Sequence, residues 1–523
     1  MPQCLREATC GQNSTLIQYA DLKTTQPSLV QNHDSEGFCI ACCGVKLLSG
    51  LSPISCDAPP PCSGLAGGFA GGTIRCALRK YQRMRQSYSW SWVQAQVAQS
   101  IELWNSCAAP SELGGQRYSP KEQQTREKAY DRELQAVEQE AKRAPRTRAD
   151  RLAAQDRIVE SFGRFSAAAL DLKDEAIVLL ADDFLPAGTE LARWARQFDP
   201  GLSMADIIQG CRNAWTACGL QALLGERICI TPSILGYSLL YPYSDNYLDS
   251  ADVPAKAKRQ FSERFRNRLR GDRLFARDDR EAAVWALLSL IEEQYPRARY
   301  SQVFDCLLAI HRAQEESIAQ IGSRDLDNED ELSEISCAKG GSSVLADACL
   351  ARGWLTEEEG RFSFEWGVLL QLGDDLQDVR EDLQHGSLTL FSRAALEGRP
   401  LDDLVKKLLN FSEQVGLRME TLPGGTSMLK ELLRMSWRSL IIGAIADSHE
   451  FFTPEFLEKA ERCSPFRFTF LRARQNRLSG RRGLYAILFD AFLEAPDEEG
   501  SECRLPQPRR LSFLGADGEP AVR

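Results

Sequence analysis

Two aspartate clusters, Asp245-Asn-Tyr-Leu-Asp249 and Asp374-Asp375-Leu-Gln-Asp378, stand inside segments that otherwise read as apolar helices. Residues four apart lie one above the other on one helix face, so Asp245 pairs with Asp249 and Asp374 with Asp378. Unpaired carboxylates in a helical core are costly or must take up protons. A cation held between the two pairs removes that cost, and oxygen-only ligands select a hard ion, Mg2+. Asp252 falls on nearly the same face as the first pair, and Gln371, Asp374, Asp375, Asp378 and Asp382 form one stripe at spacings of three and four. The aliphatic residues ahead of each cluster predict a deep apolar pocket with metal sites at its mouth. Such a site suits a substrate with a polyanionic head and a long hydrocarbon tail.

The elements that must position these carboxylates are helices. From about 150 to 490, stretches of ten to twenty residues with apolar positions every three or four residues end in Gly, Pro or Asp/Asn breaks. Among them are 203–223, 231–250, 330–352 and 356–384. Alternating strand patterns are nearly absent, and an all-α domain over 150–490 is predicted, its long helices antiparallel around a central apolar cavity. Before it, 119–149 reads as a charged, solvated lead-in helix. Residues 1–118, rich in Cys, Gly and Pro, read as a weakly structured extension with helical periodicity only near Tyr81 to Trp104, and 491–523 as a disordered tail.

With 73 acidic against 63 basic residues and a formal charge of −10, the chain lacks the basic excess of a nucleic-acid protein. No apolar run approaches the roughly 18 residues that a membrane-spanning helix needs. The N-terminus lacks a secretory signal, so a cytoplasmic, reducing location is expected, with an organellar transit segment as the alternative. The 17 cysteines are an odd total and not a disulfide framework. Cys39, Cys42, Cys43, Cys56 and Cys62 permit a four-thiolate zinc site, but the irregular spacing favours unpaired thiols.

The motif Gln371-Leu-Gly-Asp374-Asp375-Leu-Gln-Asp378, continued by Val-Arg-Glu-Asp382, resembles the second aspartate-rich motif of the class I isoprenoid synthases. This all-helical family includes prenyltransferases, squalene and phytoene synthases and terpene cyclases. Lys339-Gly-Gly-Ser-Ser-Val resembles the family's lysine-containing break that contacts diphosphate, and the resemblance covers about 150–490. It implies an isoprenoid-synthase-type bundle, a prenyl diphosphate substrate, three Mg2+ ions and frequent dimerisation. The implied metal ligands are Asp245, Asp249, Asp374, Asp375, Asp378 and Asp382, with Asp245, Asp249, Asp374 and Asp378 essential to catalysis. Lys339, Gln371, Asn246 and Arg474 are the implied substrate contacts, and Arg474 belongs to a basic C-terminal stretch that could close over the site.

The residues support the same chemistry. Mg2+ stabilises a departing diphosphate as a Lewis acid, Gly340 and Gly341 could offer amides at the start of a helix, and apolar walls keep water from an allyl cation. Tyr241, Tyr243, Phe364 and Trp366 precede the clusters, with core packing their expected individual role. Arg380 is expected on the face opposite Asp378 and Asp382, and His311 and Gln314 are expected to be structural. The first cluster lacks the DDxxD and paired arginines of chain-elongating enzymes, and the second lacks the Asn/Ser/Glu motif of common cyclases. The reading is therefore a divergent class I terpene synthase. The alternatives are a prenyltransferase, either chain-elongating or squalene/phytoene synthase-like, and a non-catalytic helical binding protein. A di-iron carboxylate site is disfavoured because none of the four histidines completes a Glu-x-x-His pair.

Overall fold

Helix formation follows the capping signals in the sequence. The computed structural model describes residues 87–109, 113–143, 147–250, 252–318, 328–479, 493 and 505–507, all within one unit, Gly37–Arg523. Among the described residues there are helices and no strand. In chain order α1 is Trp90–Ser106, α2 Pro120–Arg143, α3 Arg148–Leu170, α4 Asp174–Leu179, α5 Leu185–Phe198 and α6 Met204–Leu223. Then come α7 Pro232–Ser238, α8 Asp245–Asp249, α9 Ala255–Arg270, α10 Asp279–Gln294, α11 Ser301–Ser317, α12 Glu329–Arg352 and α13 Glu357–Gln377. The last are α14 Val379–His385, α15 Leu390–Leu396, α16 Asp402–Met419, α17 Ser427–Asp447, α18 Pro454–Glu461 and α19 Phe468–Ser479. Reciprocal capping boxes open α3 (Thr147/Asp150), α6 (Ser203/Asp206) and α13 (Thr356/Glu359), satisfying amide donors that would otherwise be orphaned.

Two helices, α12 and α13, form the middle of the bundle. α11, α6 and α1 pack on α12, while α16 and α17 pack on α13. Their backbones touch because the contact residues lack side chains. A Cβ on Gly340 would stand 2.5 Å from the Gly367 carbonyl oxygen, and one on Gly341 would stand 2.4 Å from the Phe364 ring. Lys339, Gly340 and Gly341 therefore lie inside one unbroken helix, not at a break. Their amides belong to that helix rather than to the start of a new one, which corrects the expected anion site there.

Three further expectations change. The segment 231–250 is not one helix: α7 stops at Ser238, a turn carries Pro242, and only then does α8 begin. Proline removes a helical donor and collides with the carbonyl four residues earlier, so the break falls where the chemistry requires it. The lead-in helix α2 is not solvated all round, because Tyr130, Leu134 and Val137 join Ile158, Phe162 and Phe165 of α3 and Phe466 and Phe470 in a second core. Part of the expected extension is core as well, since Tyr88, Val93, Val97 and Trp104 are buried in the main cluster. Most of the expected tail lies outside the described residues, though Trp194 Nε1 donates to the Pro506 carbonyl at 2.9 Å. The candidate zinc cysteines also lie outside them. Among the described residues no helix is long and apolar enough to cross a membrane.

Candidate functional site

The second aspartate cluster sits where α13 gives way to α14, with Asp378 at the junction (φ −91°, ψ 6°). Asp375 ties the central helices together: Ser336 Oγ of α12 donates to Oδ2 at 2.7 Å and Gln371 Nε2 to Oδ1 at 2.8 Å. Burial pushes its carboxyl up to about 6 despite those two bonds. Each oxygen of Asp375 accepts one of these bonds, so the side chain is a strut between α12 and α13, with Gln371 as its partner.

Asp374, Asp378 and Asp382 are less well served. Asp378 is pushed up to about 8 by burial first and then by Asp374, Asp382, Glu381 and Asp375, and its buried Oδ1 has no hydrogen-bond partner among the described residues. Asp382 is pushed up to about 7 by burial and by Asp375, with Thr389 Oγ1 donating at 3.4 Å. Asp374 is raised by burial, against the pull of Arg212 and Lys339, and Arg212 Nη2 stands 3.9 Å away. Its side chain is nevertheless 44% exposed. Asp374 therefore meets solvent while the protein around it still raises its carboxyl.

The first cluster is linked to the second through the electrostatics of one tyrosine. Tyr241, in the turn between α7 and α8, is raised by burial first and then by Asp245, Asp347 and Asp374. Carboxylates from both clusters thus act on one phenol. Asn246 is turned to α6, its Nδ2 3.3 Å from Asp206 Oδ1. Asp249 ends α8, and its side chain is not among those described. Asp252 is exposed.

One expected substrate contact is engaged elsewhere, while the residues expected to be structural have structural partners. Arg474, expected over the substrate, instead grips Asp131 of α2 through two hydrogen bonds of 2.5 Å. Arg380 binds Glu450 and the Asp447 carbonyl. Buried His311 holds Ser262, and burial lowers its pKa. Trp366 packs against Trp437 with ring centroids 5.6 Å apart, while Tyr243 donates to Asp199 at 2.7 Å.

Three residues that the sequence reading did not single out, Ser336, Ser343 and Asp347, line up with Lys339 on α12. Along α12, Ser336, Lys339, Ser343 and Asp347 recur at three- and four-residue spacing within SCAKGGSSVLADACL, so they share a face. Tyr237 donates to the Ser343 carbonyl at 3.5 Å, and Asn213 of α6 donates to Asp347 at 2.9 Å. The rule that singled out the aspartates, polar residues at helical spacing in an apolar run, would have found this stripe too.

Among the described residues no three His, Cys, Asp or Glu side chains converge as a ready-made metal cage. Mg2+ commonly takes one or two carboxylates and completes its shell with water and substrate phosphate, so an open carboxylate pair suits it. Compared with protein-family models, curated proteins and solved structures, the chain matches none.

Proposed function

We propose that the chain is a divergent Mg2+-dependent class I isoprenoid synthase, ionising an allylic prenyl diphosphate and letting the carbocation cyclise or quench. The observation that carries this reading is the under-compensated acid cluster of Asp374, Asp378 and Asp382. It contains a buried oxygen without a partner, and it acts with Asp245 on the Tyr241 phenol. Carboxylates held above their ordinary range by burial and mutual repulsion are stabilised by a bound cation.

In this reading Asp374, Asp378 and Asp382, together with Asp245 and Asp249 of the first cluster, would hold the metal. Bound Mg2+ supplies Lewis-acid stabilisation of the diphosphate. Arg212 and Lys339, the two cations acting on Asp374, bind the diphosphate oxygens not claimed by metal. The apolar faces of α6, α12 and α13 keep water from the carbocation.

The test incubates purified protein with Mg2+ and prenyl diphosphates of several lengths and follows diphosphate release. Hydrocarbon or alcohol from a single substrate supports a synthase, whereas a joined or lengthened product assigns the site to prenyl transfer. Asp374→Ala is expected to abolish release while helicity by circular dichroism is unchanged. No release with any substrate overturns the reading.

A further inference from the structure

Away from the acid cluster, Cys306 of α11 and Cys349 of α12 bring their sulfurs to 3.0 Å, and both are fully buried free thiols. A bonded pair would be about 1 Å closer. These sulfurs face each other across the packed α11–α12 contact.

The residues that cover them come from the start of α1. Tyr88 is fully buried in the same core cluster as the two cysteines, and burial first, then the two thiols, raise its phenol. Three polar contacts hold this cover down. Ser87 Oγ donates to Asp305 at 2.8 Å, Tyr88 OH to the Thr356 carbonyl at 3.1 Å, and Trp92 Nε1 to Glu357 at 3.1 Å. Trp92 also stands edge-on to Tyr88, ring centroids 4.6 Å apart.

We propose that Cys306 and Cys349 are a latent disulfide site, closed to exchange by the Ser87–Trp92 segment and oxidised when that segment lifts. With the cover down, burial holds Cys306 well above the ordinary thiol range, so the nucleophilic thiolate is scarce. With the cover up, one thiolate attacks a small-molecule disulfide such as oxidised glutathione, releasing one glutathione and leaving a mixed disulfide. The second cysteine, after losing its proton to solvent, displaces the other glutathione. Two protein thiols are oxidised to one disulfide, and one glutathione disulfide is reduced to two thiols. The cross-link would fasten α11 to α12, the helix that carries Ser336, Lys339 and Asp347.

The experiment uses the full chain treated with oxidised glutathione, digested without reduction and mapped by mass spectrometry, together with Trp92→Phe and Cys306→Ser. A peptide joining Cys306 to Cys349 is expected. Trp92→Phe, which removes the cover's donor to Glu357 and keeps an aromatic ring there, should form it roughly tenfold faster. The oxidised wild type should melt at a higher temperature than the reduced form, and Cys306→Ser should lose that shift. Cys306 and Cys349 still alkylatable after long exposure, in wild type and Trp92→Phe alike, would overturn the site. Equal rates in the two proteins would overturn the gating.

Discussion

Asn213 Nδ2 of α6 donates to Asp347 Oδ1 of α12 at 2.9 Å, and the other carboxylate oxygen of Asp347 is buried with no hydrogen-bond partner among the described residues. Burial holds this carboxyl well above the ordinary range, opposed only by the Asn213 bond. Burial thus favours the neutral acid at Asp347.

That state has a pH signature. A carboxyl raised in the folded state contributes stability that is fully present below its unfolded value of about 3.9 and is lost as pH rises toward the folded value. Asp347→Asn keeps the shape and the acceptor for Asn213 but cannot ionise. Its melting temperature should gain on wild type as pH rises from 4 toward 9, in buffers on the order of one pH unit apart. A constant difference across that range would show that Asp347 is not the buried acid described here.

The acid cluster behaves in the same sense within a narrower window. Asp375, Asp382 and Asp378 are pushed up to about 6, 7 and 8. Without metal, their stabilising contribution is complete below about pH 4 and is lost as pH rises through the interval from 6 to 8. A cation that binds the ionised cluster reverses this loss. Mg2+ should therefore raise the melting temperature more at pH 8 than at pH 6, with proton release detectable in a weakly buffered titration. Asp378→Asn should be more stable than wild type at pH 8 without metal and should respond less to Mg2+. No Mg2+ response in wild type at pH 8 would contradict a cation site.

Much of the helix pattern was legible because each element carries its own signals. Thr356 and Glu359 announce the start of α13, and Gly353, at φ +86°, closes α12 before it. What failed depended on neighbours. Lys339-Gly-Gly reads locally as a break, since glycine is a poor helix former, but here the absent side chains let α12 and α13 touch, and packing outweighs propensity. The partner of Arg474 lies far away in the chain at Asp131, and no periodicity shows such a pairing. The stripe from Ser336 to Asp347 was legible but hidden among small residues, because a single aspartate between alanines draws less notice than a cluster.

The two kinds of helical glycine make opposite predictions. Gly340→Ala drives a methyl to 2.5 Å from the Gly367 carbonyl oxygen and 2.4 Å from Gln371 Cβ, one a backbone atom and the other fixed directly to the backbone. It should lose at least about 1–3 kcal/mol in urea unfolding. Gly163, inside α3, meets only Ile177 Cγ2 at 3.8 Å, an ordinary contact. Gly163→Ala should gain up to about 1 kcal/mol from helix propensity. Equal effects at the two positions would mean that α12 and α13 are not in backbone contact.

Arg474 distinguishes a substrate contact from a structural one. Its guanidinium spans both oxygens of Asp131, joining α19 to α2, and lies 4.7 Å from the Phe470 ring centroid. The Arg474 and Asp131 side chains are 23% and 39% exposed, so solvent screens the pair. Arg474→Ala should cost no more than about 1 kcal/mol of stability. Asp131→Asn should cost a similar amount, and the double variant less than the sum of the two. A group bound to diphosphate would behave differently, because its loss would raise KM or lower kcat while leaving the unfolding midpoint in place. Measuring diphosphate release and urea unfolding on the same three variants separates the cases, and the geometry predicts movement in the unfolding midpoint alone.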